Sequence, residues 1–327
     1  IFAFLCQFIN YGSSLINSII FFRNLSPIQE GISGYQGSLS AYISYVVNFL
    51  IPGVVLMFIA LLNGSKERTK FIFYLVVSSG LFITLGFRYR LLILYLPLFL
   101  IYFFYKKIKP SIRLLSILFL TSFIFFGLIQ ITRSYGKGLD FDLNKVKANY
   151  SKNILKDDNT LIGKSLKAAF FDSNIFNTSA AIIHITPEKY EHVGLAPILN
   201  AIALPIPRKI WPNKPTGTYM VDIYRIIYEG IFWEVGAACL GFAEYYLAGG
   251  WIALIAVNIF IGLFYKRIWQ WFILNFSDPL TKVIYSLYLS YLYILFSRGY
   301  LLQLVFIYLS IFIPIIVFSR IWNKRFN

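Results

Sequence analysis

The sequence predicts an all-α polytopic membrane protein, and three features of the chain support this fold class. Hydrophobic residues make up 58% of the 327 residues, well above the share found in soluble globular domains. They are gathered into runs close to the ~20 residues that an apolar helix needs to cross a bilayer. Lysine and arginine collect between these runs, at every second loop. The lipid bilayer is therefore the first partner that we expect for this chain.

Eight apolar segments are candidates for membrane spans. The fourth and the seventh are short, so one of them is expected to be tilted, broken or re-entrant. The first begins at Ile1 without a methionine or a charged region before it, which predicts that an N-terminal part is missing. The segments cover approximately 1–22, 42–62, 70–87, 91–105, 114–132, 236–265, 283–297 and 300–319.

The basic residues between the spans predict the orientation of the chain. Four loops are rich in lysine and arginine, and by the positive-inside rule these loops are cytoplasmic. The loops between them then face outward without a conflict. Because these loops account for much of the net charge of +16, we expect no nucleic acid as a partner. The basic loops are 66–70, 106–113, 266–282 and 320–325.

The spans divide the chain into N-terminal transmembrane helices (1–132), one large outward loop (133–235) and C-terminal transmembrane helices (236–327). The loop holds ten of the 14 acidic residues and both histidines, so it is predicted to carry the site. Within it, 168–184 has the apolar spacing of an amphipathic helix lying on the membrane. The segment 193–207 is apolar but too short to cross, which predicts an interfacial or re-entrant segment.

The outward loop contains a rigid cationic stretch at 205–217, with the sequence PIPRKIWPNKPTG. Its four prolines each lack a backbone donor and fix φ, so the stretch forms neither a span nor a regular helix. Arg208, Lys214 and Trp211 give it positive charge and an aromatic surface. We interpret it as a loop that binds an anionic ligand with a flat apolar face, for example a lipid-linked phosphate carrying a sugar.

A set of arginines lies on the predicted outer side, where the positive-inside bias disfavours them. Their guanidinium groups suit the oxygens of a pyrophosphate and would stabilise its charge as it departs. Alternatively, they are membrane anchors that pair with lipid headgroups or with acids such as Glu234. The set is Arg88, Arg90, Arg133, Arg208 and Arg298.

Three titratable residues are candidates for a general base: Glu244, Asp172 and His184. Glu244 is predicted to lie about two turns inside the sixth span, where a carboxylate must face the bundle interior. It would orient an arginine, act as the base or only join two helices. Asp172 and His184 lie in the outward loop, where an isolated histidine is most often simply solvated.

Other patterns carry less information about chemistry. Asp140 and Asp142 have the spacing of a metal-binding pair, and Asp157 precedes a second aspartate, but such matches arise readily in a polar loop. The chain has no Walker A, GxGxxG or HExxH pattern, and we expect neither a metal nor another cofactor. Cys6 and Cys239 lie in apolar stretches without metal-ligand spacing, so both are predicted to be small buried residues.

Two motifs resemble the signatures of a known family. Pro207-Arg-Lys-Ile-Trp-Pro-Asn-Lys-Pro215 is similar to Pro-Arg-x-x-Trp-Pro-x-Lys-Pro. About 25 residues later, Gly241-Phe-Ala-Glu-Tyr-Tyr-Leu-Ala-Gly-Gly250 is similar to Gly-Glu-x-Tyr-x-Asn-x-Gly. Both signatures are those of bacterial O-antigen and capsule repeat-unit polymerases of the Wzy type. Asp172 and Gly194 also lie where that family has an aspartate motif and a glycine.

The resemblance extends over roughly 75–260 and is less close in its second motif. Phe242 and Ala243 separate Gly241 from Glu244, and Ala248 and Gly249 stand in place of the family's asparagine and a following aromatic residue. The role that the resemblance implies is therefore clearer for Arg208 than for Glu244.

The resemblance implies a glycosyltransferase of the bacterial inner membrane, with a GT-C-like helical bundle and a site in the periplasmic loop. Its substrates would be undecaprenyl-pyrophosphate-linked oligosaccharides, polymerised into the O-antigen of lipopolysaccharide or into capsular polysaccharide, and a chain-length regulator protein would be a further partner. The residues that would hold the pyrophosphates without a metal are Arg208 and Lys214, with Arg88, Arg90 or Arg298. The residues that compete as the base for the acceptor hydroxyl are Glu244, Asp172 and His184.

Three other functions stay open. An O-antigen ligase has the same topology and donor but transfers the glycan to the lipid A core. A polyprenyl-phosphate-sugar glycosyltransferase would use Asp140 and Asp142 with a metal. A flippase or other transporter of lipid-linked glycans is less favoured, because the charges gather on one outer face and no internal repeat is found.

Overall fold

The computed structural model describes residues 3, 5–7, 46–84, 88–122, 174–204, 206, 210–215, 217–228 and 239–326. Over these residues every regular element is a helix, which confirms the predicted all-α class for the described part of the chain. Most of the first predicted span and the second half of the fifth lie outside the described residues.

A 3-10 turn at Val46–Phe49 leads into the first helix. The helices are α1 Leu50–Leu62, α2 Arg68–Thr84, α3 Arg88–Lys106, α4 Ile112–Ser122, α5 Asn174–Ile185, α6 Ala196–Ala203, α7 Tyr219–Tyr228, α8 Gly241–Leu274, α9 Pro279–Ser297 and α10 Leu301–Phe326.

Four of the described helices are long and apolar enough to cross a membrane: α3, α8, α9 and α10. They correspond to the fourth, sixth, seventh and eighth predicted spans, and they support the assignment to a membrane protein. The second and third predicted spans are helical over their described residues, with 13 residues in α1 and 17 in α2. The GT-C-like bundle and the division into three parts stay predictions.

The structure has a helix break, but not in the short fourth or seventh span, one of which was predicted to be tilted, broken or re-entrant. Both α3 and α9 have 19 residues, more than their apolar runs indicated, because α3 includes Arg88 and Arg90 and α9 begins at Pro279. The break lies in α8, at Gly249 and Gly250. Gly250 has φ 64°, a left-handed conformation that glycine adopts without a steric penalty.

The break divides α8 into two halves with different surroundings. Residues 241–248 are mostly buried, and they include Glu244. Residues 251–274 carry large exposed apolar side chains such as Ile252 and Phe260. The first half is thus enclosed by protein, while the second has the surface of a helix that faces lipid.

Of the four long helices, α3, α8 and α10 run in one direction and α9 runs in the opposite one. At one end, the Phe272 ring of α8 lies 5.1 Å from Phe104 of α3 and is stacked 3.9 Å from Tyr285 of α9. At the other end, Tyr89 of α3 accepts a hydrogen bond from Gln303 of α10, at 3.3 Å. These directions agree with the charge pattern of the loops, although the side that faces outward stays a prediction.

Candidate functional site

Four helix ends meet at one place, which we call the helix junction: the starts of α3, α8 and α10 and the end of α9. The backbone N–H of Gly299, between α9 and α10, donates to the carbonyl of Cys239 at 2.7 Å. These ends are the ones predicted to lie on the outer side of the membrane. The junction therefore collects side chains that are far apart in the sequence.

Glu244 lies at the centre of the helix junction and is only 1% exposed. Its Oε1 accepts hydrogen bonds from the Tyr219 hydroxyl at 2.5 Å and from the Leu301 N–H at 2.9 Å. Its Oε2 accepts from the Tyr300 N–H at 2.7 Å. Since the first N–H groups of a helix have no partner within it, the carboxylate caps the start of α10.

The position of Glu244 differs from the prediction. Because α8 begins at Gly241, Glu244 lies in the first turn of the helix rather than about two turns inside it. Its interior orientation agrees with the expectation for a carboxylate at a membrane span. The partners of its carboxylate among the described residues are N–H and O–H donors, not an arginine.

Two glycines allow the chain segments of the junction to approach closely. A Cβ atom on Gly241 would overlap the carbonyl oxygen of Leu295. A Cβ atom on Gly299 would lie 2.6 Å from the Cys239 sulfur and 2.8 Å from the Leu240 carbonyl oxygen. A side chain at Gly241 would therefore push α8 away from the end of α9, and one at Gly299 would push the turn before α10 away from the residues that lead into α8.

Two tyrosines complete the surroundings of the carboxylate. Burial, reinforced by the charge of Glu244, raises the pKa of the Tyr219 phenol far above its ordinary value. The same two causes raise the pKa of Tyr300. Both hydroxyls consequently stay protonated and available as donors, and that of Tyr300 donates to the Gly217 carbonyl at 3.4 Å.

Arginines approach the same junction from two helices. Arg298, directly after α9, is half-buried, and its Cζ lies 5.1 Å from the centroid of the Tyr89 ring, within cation–π range. Arg90 is buried, with its Cζ 5.7 Å from that ring, and Arg88 is the first residue of α3. Within the described residues, no carboxylate forms an ion pair with Arg298.

The described part of the cationic loop lies beside the junction. Lys214 is buried, and its Nζ donates to the carbonyls of Leu204 at 3.2 Å and Ile206 at 3.0 Å, just after α6. An ammonium at the end of a helix stabilises carbonyls that have no partner within it. Trp211 is exposed. Binding of pyrophosphate by Lys214 stays a prediction. The pyrophosphate would approach an ammonium that already donates to two carbonyls.

The two histidines have different surroundings. His184 is exposed in the last turn of α5. The Nδ1 of His192 lies 3.3 Å from the Leu247 carbonyl oxygen, which also accepts a hydrogen bond from the Val193 N–H at 3.0 Å. The segment around His192 thus contacts a carbonyl that lies just before the break in α8.

Several predicted site residues cannot be placed, because Asp172, Arg133 and Arg208 lie outside the described residues. The same is true of Asp140 and Asp142. Among the residues that are described, no group of three or more His, Cys, Asp or Glu side chains is arranged to hold a metal. The roles predicted for these positions stay predictions.

The structure brings together Glu244, Arg90, Arg298 and the start of α3, and it places the loop of Lys214 and Trp211 next to them. Sequence reasoning missed the residues that arrange these groups: Tyr219, Tyr89 and Tyr300. A tyrosine among 24 carries no pattern that marks it as the partner of a carboxylate. The glycine pair in α8 was the visible signal of the break, since such pairs often mark a kink.

Comparisons with known proteins give no relative. No protein-family model matches this chain, and no curated protein or solved structure is similar to it at a significant level. The resemblance of the two motifs to repeat-unit polymerases thus stays a prediction from the sequence.

Proposed function

We propose that this chain is a membrane glycosyltransferase that polymerises undecaprenyl-pyrophosphate-linked oligosaccharide repeat units at the periplasmic face of the bacterial inner membrane. The product is an O-antigen or a capsular polysaccharide. The observation that carries the proposal is the environment of Arg298: a half-buried guanidinium over the Tyr89 ring, without a carboxylate partner in the described residues.

This environment suits a phosphate ligand. The ring of Tyr89 packs against the guanidinium, and no described carboxylate pairs with it, so its N–H donors suit a ligand that is bound bidentately. The guanidinium of Arg90 lies near the same ring. Its positive charge increases the local attraction for a pyrophosphate. Arg208 belongs to the same proposal through its place in the cationic loop, whose described part contacts the junction.

In the proposed reaction, a hydroxyl oxygen of the acceptor glycan attacks the anomeric carbon of the donor glycan. The bond from that carbon to the pyrophosphate oxygen breaks, and undecaprenyl pyrophosphate leaves with the electron pair. The hydroxyl proton passes to a base. The lengthened glycan stays on the acceptor's undecaprenyl pyrophosphate, and the arginines stabilise the charge on the departing one.

Within this proposal, Glu244 is a positioning residue rather than the base. Both of its carboxylate oxygens are occupied by donors, so an acceptor hydroxyl would have to displace one of them. By holding the Tyr300 and Leu301 N–H groups, it fixes the turn that begins with Arg298. The base then falls to Asp172 or His184.

The test uses the purified full-length protein in detergent with undecaprenyl-pyrophosphate-linked repeat units from the host, with and without EDTA. We expect a ladder of polymer that EDTA does not change. A ladder that EDTA removes would favour the metal-dependent glycosyltransferase, and a dead but well-inserted Asp140→Ala variant would do the same. Attachment to lipid A core without a ladder would identify a ligase.

Arg298→Ala should lower the yield of polymer at least about tenfold, because one charge-assisted interaction with the leaving group is lost. Arg298→Lys should recover only part of it, since an ammonium cannot bind bidentately. Arg113→Ala, an exposed arginine near the predicted cytoplasmic end, is the matched control and should behave as wild type. Wild-type yield from both Arg298→Ala and Arg208→Ala would refute the pyrophosphate assignment.

One observation favours a second candidate, a transporter of lipid-linked glycans. Discontinuous helices often form the sites of transporters, and α8 is broken at Gly249 and Gly250. In the same assay, a transporter would leave the repeat units unpolymerised. In sealed vesicles, it would move them across the membrane, which a protected-substrate assay detects.

A further inference from the structure

The short helix α6 presents an apolar face to the outside of the protein. Its exposed side chains are large and apolar, and together with the residue before the helix they follow the spacing i, i+3, i+4, i+7 of one helix face. Polar and small residues, such as Asn200 and Ala201, are instead buried. This is the reverse of a surface helix in water. The exposed residues are Leu195 (67%), Ile198 (48%), Leu199 (55%) and Ile202 (68%).

The opposite face of α6 packs against the start of α10. Leu204, directly after α6, belongs to the same apolar cluster as Leu302, and Phe306 packs against that cluster. The candidate span of α10 begins at Leu301. Because α6 packs against this first part of α10, it lies at the level where the span meets the membrane surface. The exposed face is therefore at the level of a membrane boundary.

Both ends of α6 are attached to the rest of the protein. Before its start, the Val193 N–H donates to the Leu247 carbonyl at 3.0 Å, at the break in α8. After its end, the ammonium of Lys214 donates to the carbonyls of Leu204 and Ile206. These attachments fix the direction in which the apolar face points.

We propose that α6 lies in the outer membrane–water interface, with its apolar face buried among the acyl chains of phospholipids. The helix has eight residues, or about 12 Å of length, so it cannot cross the bilayer. Ile210 and Trp211, which follow the helix in the sequence, are also exposed, and tryptophan is typical of the interface. The neighbouring Arg208 and Lys209 in the sequence complement anionic headgroups.

This inference does not depend on the proposed reaction. It assigns a bilayer contact to a part of the outward loop. Of the two forms predicted for the 193–207 segment, it favours the interfacial one over the re-entrant one. It also places the cationic loop that follows at the height of the phosphates of the lipids. A lipid-linked pyrophosphate would reach that loop without leaving the membrane surface.

The test is a nitroxide scan of residues 195–203 in the full chain, reconstituted into vesicles of phosphatidylethanolamine and phosphatidylglycerol. Both native cysteines, Cys6 and Cys239, are buried and are replaced by alanine beforehand. Accessibility to oxygen, which concentrates in lipid, is compared with accessibility to a water-soluble nickel chelate. Labels at 195, 198, 199 and 202 should favour oxygen and lie about 5 to 10 Å below the phosphates.

Labels at 200 and 201 are the matched controls and should be poorly accessible to both reagents. High accessibility of the apolar face to the nickel chelate would overturn the proposal, because the face would then be in water. Low accessibility to both reagents would also overturn it, since the face would be covered by protein. Each labelled variant is first checked for monodisperse elution and for α-helical circular dichroism.

A second measurement uses the label at position 199 together with Ile202→Glu or Ile202→Ala. The carboxylate should move the label toward water and lower the ratio of oxygen to nickel accessibility at least about twofold, because a charge is costly among acyl chains. The alanine variant controls for the lost volume and should keep most of the depth. An unchanged ratio in Ile202→Glu would refute the interfacial placement.

Discussion

Two neighbouring helices of this protein begin at a carboxylate, but the carboxylates come from very different places. At the start of α9, exposed Asp278 accepts from the N–H groups of Leu280 at 3.1 Å and Thr281 at 3.0 Å. At the start of α10, buried Glu244 accepts from N–H groups that are 56 and 57 residues away in the sequence. The first cap is local, and the second joins separate elements.

The two carboxylates therefore have different roles: Asp278 stabilises one helix end, and Glu244 holds the candidate site together. Asp278 stabilises the first turn of one helix and leaves the neighbouring helices independent of it. Glu244 connects α7, α8 and α10 through three hydrogen bonds, and it holds the turn that carries Arg298. Loss of the first should weaken one helix end, while loss of the second should release the whole junction.

The largest expected effect is on the reactivity of the Cys239 thiol beside the helix junction. Burial raises the pKa of the Cys239 thiol to about 12, so its reactive thiolate forms only as the pH approaches that value. At pH 8 the thiolate fraction should be about a thousandfold below that of an ordinary thiol. Alkylation by N-ethylmaleimide, followed by mass spectrometry in a Cys6→Ala background, measures the rate. Rapid labelling of the folded protein at pH 8 would contradict a closed junction.

Glu244→Ala should destabilise the protein by at least about 3 kcal/mol, because buried donors are left without an acceptor at about 1 to 3 kcal/mol each. It should also accelerate the alkylation of Cys239 by opening the junction. Unfolding of the purified protein in mixed micelles measures the loss. A loss no larger than that of Asp278→Ala would remove the distinction between the two caps.

Tyr219→Phe should cost about 1.5 to 3 kcal/mol, since it removes one hydrogen bond to a charged group and leaves the two backbone donors of α10 in place. A double-mutant cycle with Glu244→Ala separates the pairwise interaction from other effects. Strict additivity of the two changes would show that the hydroxyl and the carboxylate do not interact in solution.

The smallest effect is expected at the local cap. Asp278→Ala should cost about 1 kcal/mol, and Asp278→Ser should recover most of it, because serine also caps helices. The rate of Cys239 alkylation should stay at the wild-type value in both variants. An accelerated rate would indicate that the start of α9 is coupled to the junction after all.

The helices themselves were largely predictable from the sequence, because hydropathy records which residues avoid water. The extents of α3, α9 and α10 differ from the predicted spans by a few residues at most of their ends. The cap at Asp278 also follows a local rule, an aspartate directly before a proline that begins a helix. The break in α8 was missed, since an apolar run continues across Gly249 without a sign in hydropathy.

For the site, the sequence predicted which kinds of residue would be present but not which residues they contact. The outer arginines were interpreted as a basic cluster that binds pyrophosphate, and Arg90 and Arg298 do approach one ring. The ring itself, Tyr89, was not predictable. The donors to Glu244 include two backbone N–H groups, which every residue except proline has, so no residue type could mark them.

The break at Gly249 and Gly250 has a mechanical consequence for a protein that must work in a bilayer of variable thickness. A continuous helix of 34 residues would act as a rigid lever, and any tilt of its lipid-facing part would shift Glu244. Here the non-helical backbone of the two glycines separates the halves. Residues 251–274 are thus able to tilt with the membrane, while the carboxylate of Glu244 and the turn beside it keep their positions.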